Sequence, residues 1–251
     1  MNISIVCPGT LFPSVVGVLK AIEVHGIRID SITTTSLATI PCALYCAGHS
    51  IDEVRFVVNK LSPLPISRTF WSYFNKYFTP HMDLCVDSIV ADLPEHCGHL
   101  HIPLNVLTLN NDTGYLAKHA SDTEHHLPTV VKAASSLAPI MRPVVHFGDR
   151  HSDASCVHLD YKDQFSSFVI LVRSKSNDSE QKFTQRVNRD LYMHNAVTFQ
   201  HSESLADVVI DINRYPIDIQ QTTAQSERMI NEAYNQTYLK IRSLKRKRKL
   251  P

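Results

Sequence analysis

Glycine is scarce in this chain, with seven in 251 residues against the usual ~7% of composition, so any glycine-rich loop must be present in eroded form. Charge of one sign is lacking as well. A net charge of +1 argues against the broad electrostatic footprint of a nucleic-acid binder, and no nucleic-acid partner is expected. The six cysteines include no CxxC pair, and Cys42 and Cys46 lie four apart on an expected helix, which does not favour a bridge. They read as reduced core cysteines of a cytoplasmic chain. Fourteen histidines are scattered without HExxH or comparable ligand spacing, so neither a metal site nor a cofactor is expected. The chain opens with no basic segment followed by a long apolar one, and no run reaches ~18 apolar residues, so neither a signal peptide nor a membrane span is expected.

At 43% hydrophobic residues, the sequence suffices for one large core. Asn2 to Cys7 alternates as a buried strand, and Ser14 to His25 carries Val15, Val18, Leu19 and Ile22 on one helical face before Gly26. Ile29 to Thr33 is a second strand. It feeds directly into an expected helix running from Ser36 to Gly48. In such a strand–turn–helix elbow the apical side chain is pushed out of the sheet's end, and the first amides of the helix point toward charge developing beside it. Ser36 is therefore a candidate nucleophile, with a plain helix cap as the competing reading. Elbows of this kind usually read G-x-S-x-G, and here the flanks are Thr34 and Ala38. β-branched Thr34 predicts an elbow that is less sharp or differently packed, and Pro41 removes an amide from the expected helix. Two strands joined through a helix imply a parallel pair with a right-handed crossover, and both loops, at 7–12 and 34–38, then emerge at one sheet edge.

Residues 50 to 100 read as proline-punctuated helices, with Phe70, Trp71, Phe74 and Phe78 clustered, and form the expected cap or lid. Two strand patterns over 102–120 are joined by Asn110-Asn111-Asp112-Thr113-Gly114, a turn signal. A helix is expected over 127–138, then a hairpin turning at Gly148-Asp149. Further expected elements are strands at 165–172 and 208–212 and helices over 178–195 and 222–244, the last opened by a Thr222-x-x-Gln225 capping box.

The run VGVLKAIEVHGIRIDSITTTSLATIPCALYCAGHSIDEV resembles the opening of bacterial patatin-like phospholipases, and KAASSLAPIMRP resembles a second stretch of the same family about a hundred residues on. The resemblance implies an α/β fold, a three-layer sandwich on a mostly parallel central sheet. It also implies a Ser-Asp dyad. The family's G-x-S-x-G falls on Thr34 to Ala38, which makes Ser36 the nucleophile, and its D-G-G element falls on Asp153-Ala154-Ser155, which makes Asp153 the base. Asp160 is the competing carboxylate, followed by bulky Tyr161 and Lys162. The family's G-G-G-x-R-G oxyanion loop falls on Cys7 to Phe12, which assigns Gly9, Thr10 and Leu37 to the oxyanion and substrate-binding positions. Only Gly9 and Ser36 keep the family's residues in these two loops. Pro8 has no N–H, Leu11 replaces a basic side chain and Phe12 replaces a glycine.

The resemblance implies a lipid acyl hydrolase that cuts lipid esters without metal or cofactor, and the alternative reading is a patatin-like protein of weakened chemistry with a binding or regulatory role. The organisation expected is one domain over 1–244 and a basic tail over 245–251, part of the run KIRSLKRKRK. Such a tail is either solvated or a peripheral contact with anionic membrane.

Overall fold

The computed structural model describes residues 1–7, 9–61, 86–87, 89–120, 124–136, 142–154, 168–175, 203–213 and 222–247. The alternating run Asn2–Val6 is strand β1, with Ile3 and Ile5 on one face of the sheet and Val6 on the other. A short 3-10 turn at Gly9–Leu11 leads to helix α1, Ser14–Val24, and Gly26 at φ 63° turns the chain away from it. Strand β2, Ser31–Thr34, pairs with β1 in parallel from Asn2↔Ser31 to Ile5↔Thr34. It starts two residues later than the apolar run from Ile29, because its partner strand begins only at Asn2.

The helix expected from Ser36 divides in two. One 3-10 turn spans Ser36–Ala38, and helix α2 spans Thr39–Cys46. Pro41 thus falls in the first turn of α2, where backbone amides have no partner within the helix, so its missing N–H costs little. Helix α3, Ile51–Leu61, matches its sequence pattern, and Asp52 and Glu53 sit in its first turn. The expected aromatic cluster and most of the expected cap lie outside the described residues.

Strand β3, Leu104–Asn110, and strand β4, Leu116–His119, form the hairpin read from the asparagine-rich turn. Asn110 Oδ1 accepts from the amides of Asp112 and Thr113, each at 3.0 Å, and Gly114 takes φ 75°. Helix α4, Leu127–Ser135, precedes strands β5, Val144–His146, and β6, Asp149–Asp153. Their turn lies one residue before the expected Gly148-Asp149: Phe147 and Gly148 carry φ 51° and 90°, and Asp149 already pairs with His146. Strands β7, Phe168–Lys175, and β8, Val208–Asn213, complete one sheet, and helix α5, Thr223–Arg246, closes the described chain. Both halves of the capping box form at Thr222 and Gln225. α5 continues two residues into the stretch read as tail, and Lys245 Nζ donates to the His25 carbonyl at 3.0 Å.

The strand order is β5-β6-β3-β2-β1-β7-β8 with β4 on β3. From β3 through β8 every pairing along that order is parallel, and the strands added at the β3 edge are antiparallel. Helices α1 to α5 bury their apolar faces against Ile5, Ile32, Val106, Ile170 and Ile210. The opposite face gathers Val6, Leu107, Val169 and Leu171 in a second cluster. Helices were expected on both faces; residues 155–167 and 176–200, which flank β7 in the chain, lie outside the described residues. α1 and α5 approach so closely that a Cβ on Gly17 would stand 2.1 Å from the Ile230 carbonyl oxygen. The fold is α/β, with a mostly parallel sheet flanked by helices.

Candidate active site

β3 organises the site. Val106 pairs with Thr34 of β2 and with His119 of β4, and Thr108 pairs with Ala117 of β4 and with Asp153 of β6. Since a strand has only two edges, β2 and β6 share the edge opposite β4, β2 along the first half of β3 and β6 along the second. They run toward each other, so the residue two beyond Thr34 meets the end of β6. That residue is Ser36, and its Oγ donates to Asp153 Oδ2 at 3.0 Å across 117 residues of chain.

Ser36 has φ 60°, one of two non-glycine residues in the left-handed region among the described residues. The turn is therefore sharp despite Thr34. The threonine is accommodated by packing: it is fully buried, and its hydroxyl donates to the Ile5 carbonyl at 3.1 Å. Thr35 donates to the Leu107 carbonyl at 2.8 Å, one residue before the partner of Asp153. Adjacent residues of β3 thus hold the residue before the serine and the strand that carries the acid. The Asp153 amide donates to the Ser136 carbonyl at 3.0 Å, which fixes the end of β6 against the chain leaving α4. Ser36 and Asp153 are both buried, at 3% and 6% exposure.

The Gly9–Leu11 turn lies over the elbow, since a Cβ on Gly9 would stand 3.8 Å from Leu37 Cδ1. The structure therefore brings Ser36, Asp153, Gly9 and Leu37 together, and Thr10 follows Gly9 in the same turn. Leu11 and Phe12, which stand where the family has a basic residue and a glycine, are buried in the core at 4% and 2% exposure. Pro8 and Asp160 lie outside the described residues. Cys7, Cys42 and Cys46 are buried near the elbow; burial pushes their thiols up, Cys42 to about 12, so they are poor nucleophiles.

Residue order does not announce the histidine cluster that lies near Ser36 and Asp153. Register places His119, Thr108, His146, His151 and Asp153 on one face of the sheet. Thr108 Oγ1 lies 2.8 Å from His119 Nε2 and 2.9 Å from His151 Nδ1, and His125 Nδ1 lies 2.8 Å from His146 Nε2. Burial, then mutual repulsion, lowers His119 to about 3 and His146 to about 4, so the rings are neutral near pH 7. The spacings between these residues follow no short motif, and only strand register shows that they converge.

No family model matches the sequence, and no curated protein matches it. Among solved structures the chain is similar to VipD from Legionella pneumophila, with TM-score 0.57 at 12% identity, over 96% of this chain and 67% of VipD. The fold is patatin-like. A second similar structure, the type III effector protein ExoU, has TM-score 0.46 at 12% identity, over 96% of this chain and 53% of ExoU. At 12% identity the likeness to VipD concerns the fold alone. Among the described residues no helix is long and apolar enough to cross a membrane.

Proposed function

We propose that this protein is a serine acyl hydrolase acting on lipid esters, with Ser36 as nucleophile and Asp153 as base. The observation that carries the reading is the buried hydrogen bond from Ser36 Oγ to Asp153 Oδ2, 3.0 Å long, on a serine whose backbone stands at φ 60°. Asp153 accepts the Ser36 proton as Oγ attacks the ester carbonyl, and the tetrahedral oxyanion is met by amides at the elbow. The alcohol leaves with that proton returned from Asp153, and water, deprotonated in turn by Asp153, attacks the acyl-enzyme and releases the acid while the proton goes back to Ser36. A carboxylate is a weak base for a serine, so the scheme relies on desolvation and on the direct hydrogen bond, and both groups are buried. The Leu37 amide heads the turn after the nucleophile and is one oxyanion donor; the Gly9-Thr10 turn supplies the other. The scheme is complete with protein groups and water. The lipid class of the substrate rests on the resemblance to patatin-like phospholipases. The basic residues beyond α5 suit peripheral contact with an anionic membrane from the cytoplasmic side.

A second reading, a patatin-like protein kept for binding, is favoured by one observation: buried Leu11 and Phe12 fill the core where the family loop carries a basic residue and a glycine. Loss of one oxyanion donor costs on the order of 10²–10³ in rate. A fluorophosphonate probe on the full chain separates the two. Labelling that disappears in Ser36→Ala and falls steeply in Asp153→Asn supports the hydrolase, and folded wild-type protein that takes no Ser36-dependent label supports the binding protein.

A further inference from the structure

His119, His125 and His146 each present a ring nitrogen within 4.8 Å of the others, and we propose that they form a binding site for a divalent transition-metal ion of the zinc class, at the sheet face that carries Asp153. The proposal is independent of the dyad's chemistry. In a tetrahedral zinc site with Zn–N of about 2.0–2.1 Å, ligand nitrogens stand roughly 3.3 Å apart. His125 Nδ1 and His146 Nε2, now 2.8 Å apart, open slightly to reach that spacing, while His119, within 4.8 Å of both, closes on them.

Three features separate this cluster from a chance meeting of histidines. First, His119 is 4% exposed and its Nε2 is committed to Thr108 Oγ1 at 2.8 Å, which leaves Nδ1 buried without a hydrogen-bond partner. A buried imidazole nitrogen left unpaired is costly, and an ion on Nδ1 removes that cost. Second, the Thr108 contact can orient His119 as a ligand: in the tautomer whose Nε2–H donates to Oγ1, Nδ1 keeps its lone pair and the hydroxyl proton can go to His151 Nδ1, 2.9 Å away. Third, His125 Nδ1 and His146 Nε2 converge on one point at 2.8 Å, where a single proton lies between two nitrogens. When an ion takes that point, the proton moves to a remote ring nitrogen through solvent.

The donor set selects the metal. Imidazoles without a carboxylate suit zinc, copper or nickel, whereas calcium and magnesium take oxygen ligands. Phe147 lies over His146 with ring centroids 4.3 Å apart and shields one side of the cluster. The ligands come from β4, from the segment entering α4 and from β5. An ion there ties those three pieces together around Thr108, the residue paired with Asp153.

The test uses the full chain, purified without a polyhistidine tag, stripped with chelator and titrated with Zn²⁺ by calorimetry and with Co²⁺ by visible absorption. The expected result is one equivalent bound and the intense Co²⁺ bands of a four-coordinate site. His125→Ala and His146→Ala should each weaken zinc binding by about 100-fold or more, while His99→Ala, an exposed histidine outside the cluster, leaves it unchanged. Absence of binding at micromolar Zn²⁺, a weak six-coordinate Co²⁺ spectrum, or undiminished affinity in folded His125→Ala protein overturns the site. The Co²⁺ spectrum of the wild-type chain decides the question even if a variant fails to fold, and loss of fluorophosphonate labelling has no bearing on it.

Discussion

Ser36 holds a backbone conformation that a side chain disfavours, and the neighbouring contacts hold it there. A non-glycine residue in the left-handed region costs about 1–2 kcal/mol, and here the cost is borne by Thr35 on Leu107 and Asp153 on Ser36 itself. Comparing two variants isolates the strain. Ser36→Ala and Ser36→Gly both lose the bond to Asp153, but only glycine is at ease at φ 60°. Urea denaturation should find Ser36→Gly more stable than Ser36→Ala by about 0.5–1 kcal/mol, after allowing for glycine's larger unfolded-state entropy. Equal stability would mean that the elbow stores no strain.

At the level of elements, α1 and α5 are packed backbone to backbone at Gly17. A methyl group there would meet the Ile230 carbonyl at 2.1 Å and the Tyr234 amide nitrogen at 2.7 Å, neither of which can move without its helix. Gly17→Ala should therefore lower stability by about 1–3 kcal/mol although alanine is the better helix former, because overpacking outweighs propensity. A thermal unfolding midpoint at or above wild type would contradict this close approach. The position belongs to the run VGVLK that carries the resemblance, and its reason is the crossing of two helices, remote from chemistry. α3 is tied to the same helix by Arg55, whose guanidinium pairs with Glu227, and by Asn59, which donates to the same carboxylate. Such partly exposed contacts orient α3 more than they stabilise it.

For the molecule as a whole, the basic run divides into residues used by the fold and residues beyond it. Lys240 and Lys245 cap the carbonyls of Val209 and His25, so they are occupied, while Lys247, Arg248 and Lys249 follow the last helical residue in sequence. Removing residues 247–251 should leave the unfolding midpoint unchanged and weaken binding to phosphatidylserine vesicles. The loss should shrink as salt rises, given ~1 kcal/mol per basic residue near an anionic surface. Equal vesicle binding by the shortened chain would retire the membrane contact.

Much of this was legible in residue order. The alternation of Asn2–Val6, the apolar face of α1, the turn at Asn110–Gly114 and the capping box at Thr222 are local patterns, and each formed where the residues indicated. Local patterns also put Ser36 at the end of a strand. They misplaced the start of α2 by three residues and the β5–β6 turn by one, because a 3-10 turn and a hairpin register are decided by what the backbone packs against. Nothing local joined Ser36 to Asp153, which required the family resemblance, or brought three histidines within 4.8 Å, which no short motif indicates. Those meetings depend on β2 and β6 sharing one edge of β3 while β4 takes the other. Periodicity tells which face of a strand a residue occupies; only the assembled sheet decides which strands lie side by side, because pairing partners are chosen by long-range hydrogen bonding and burial.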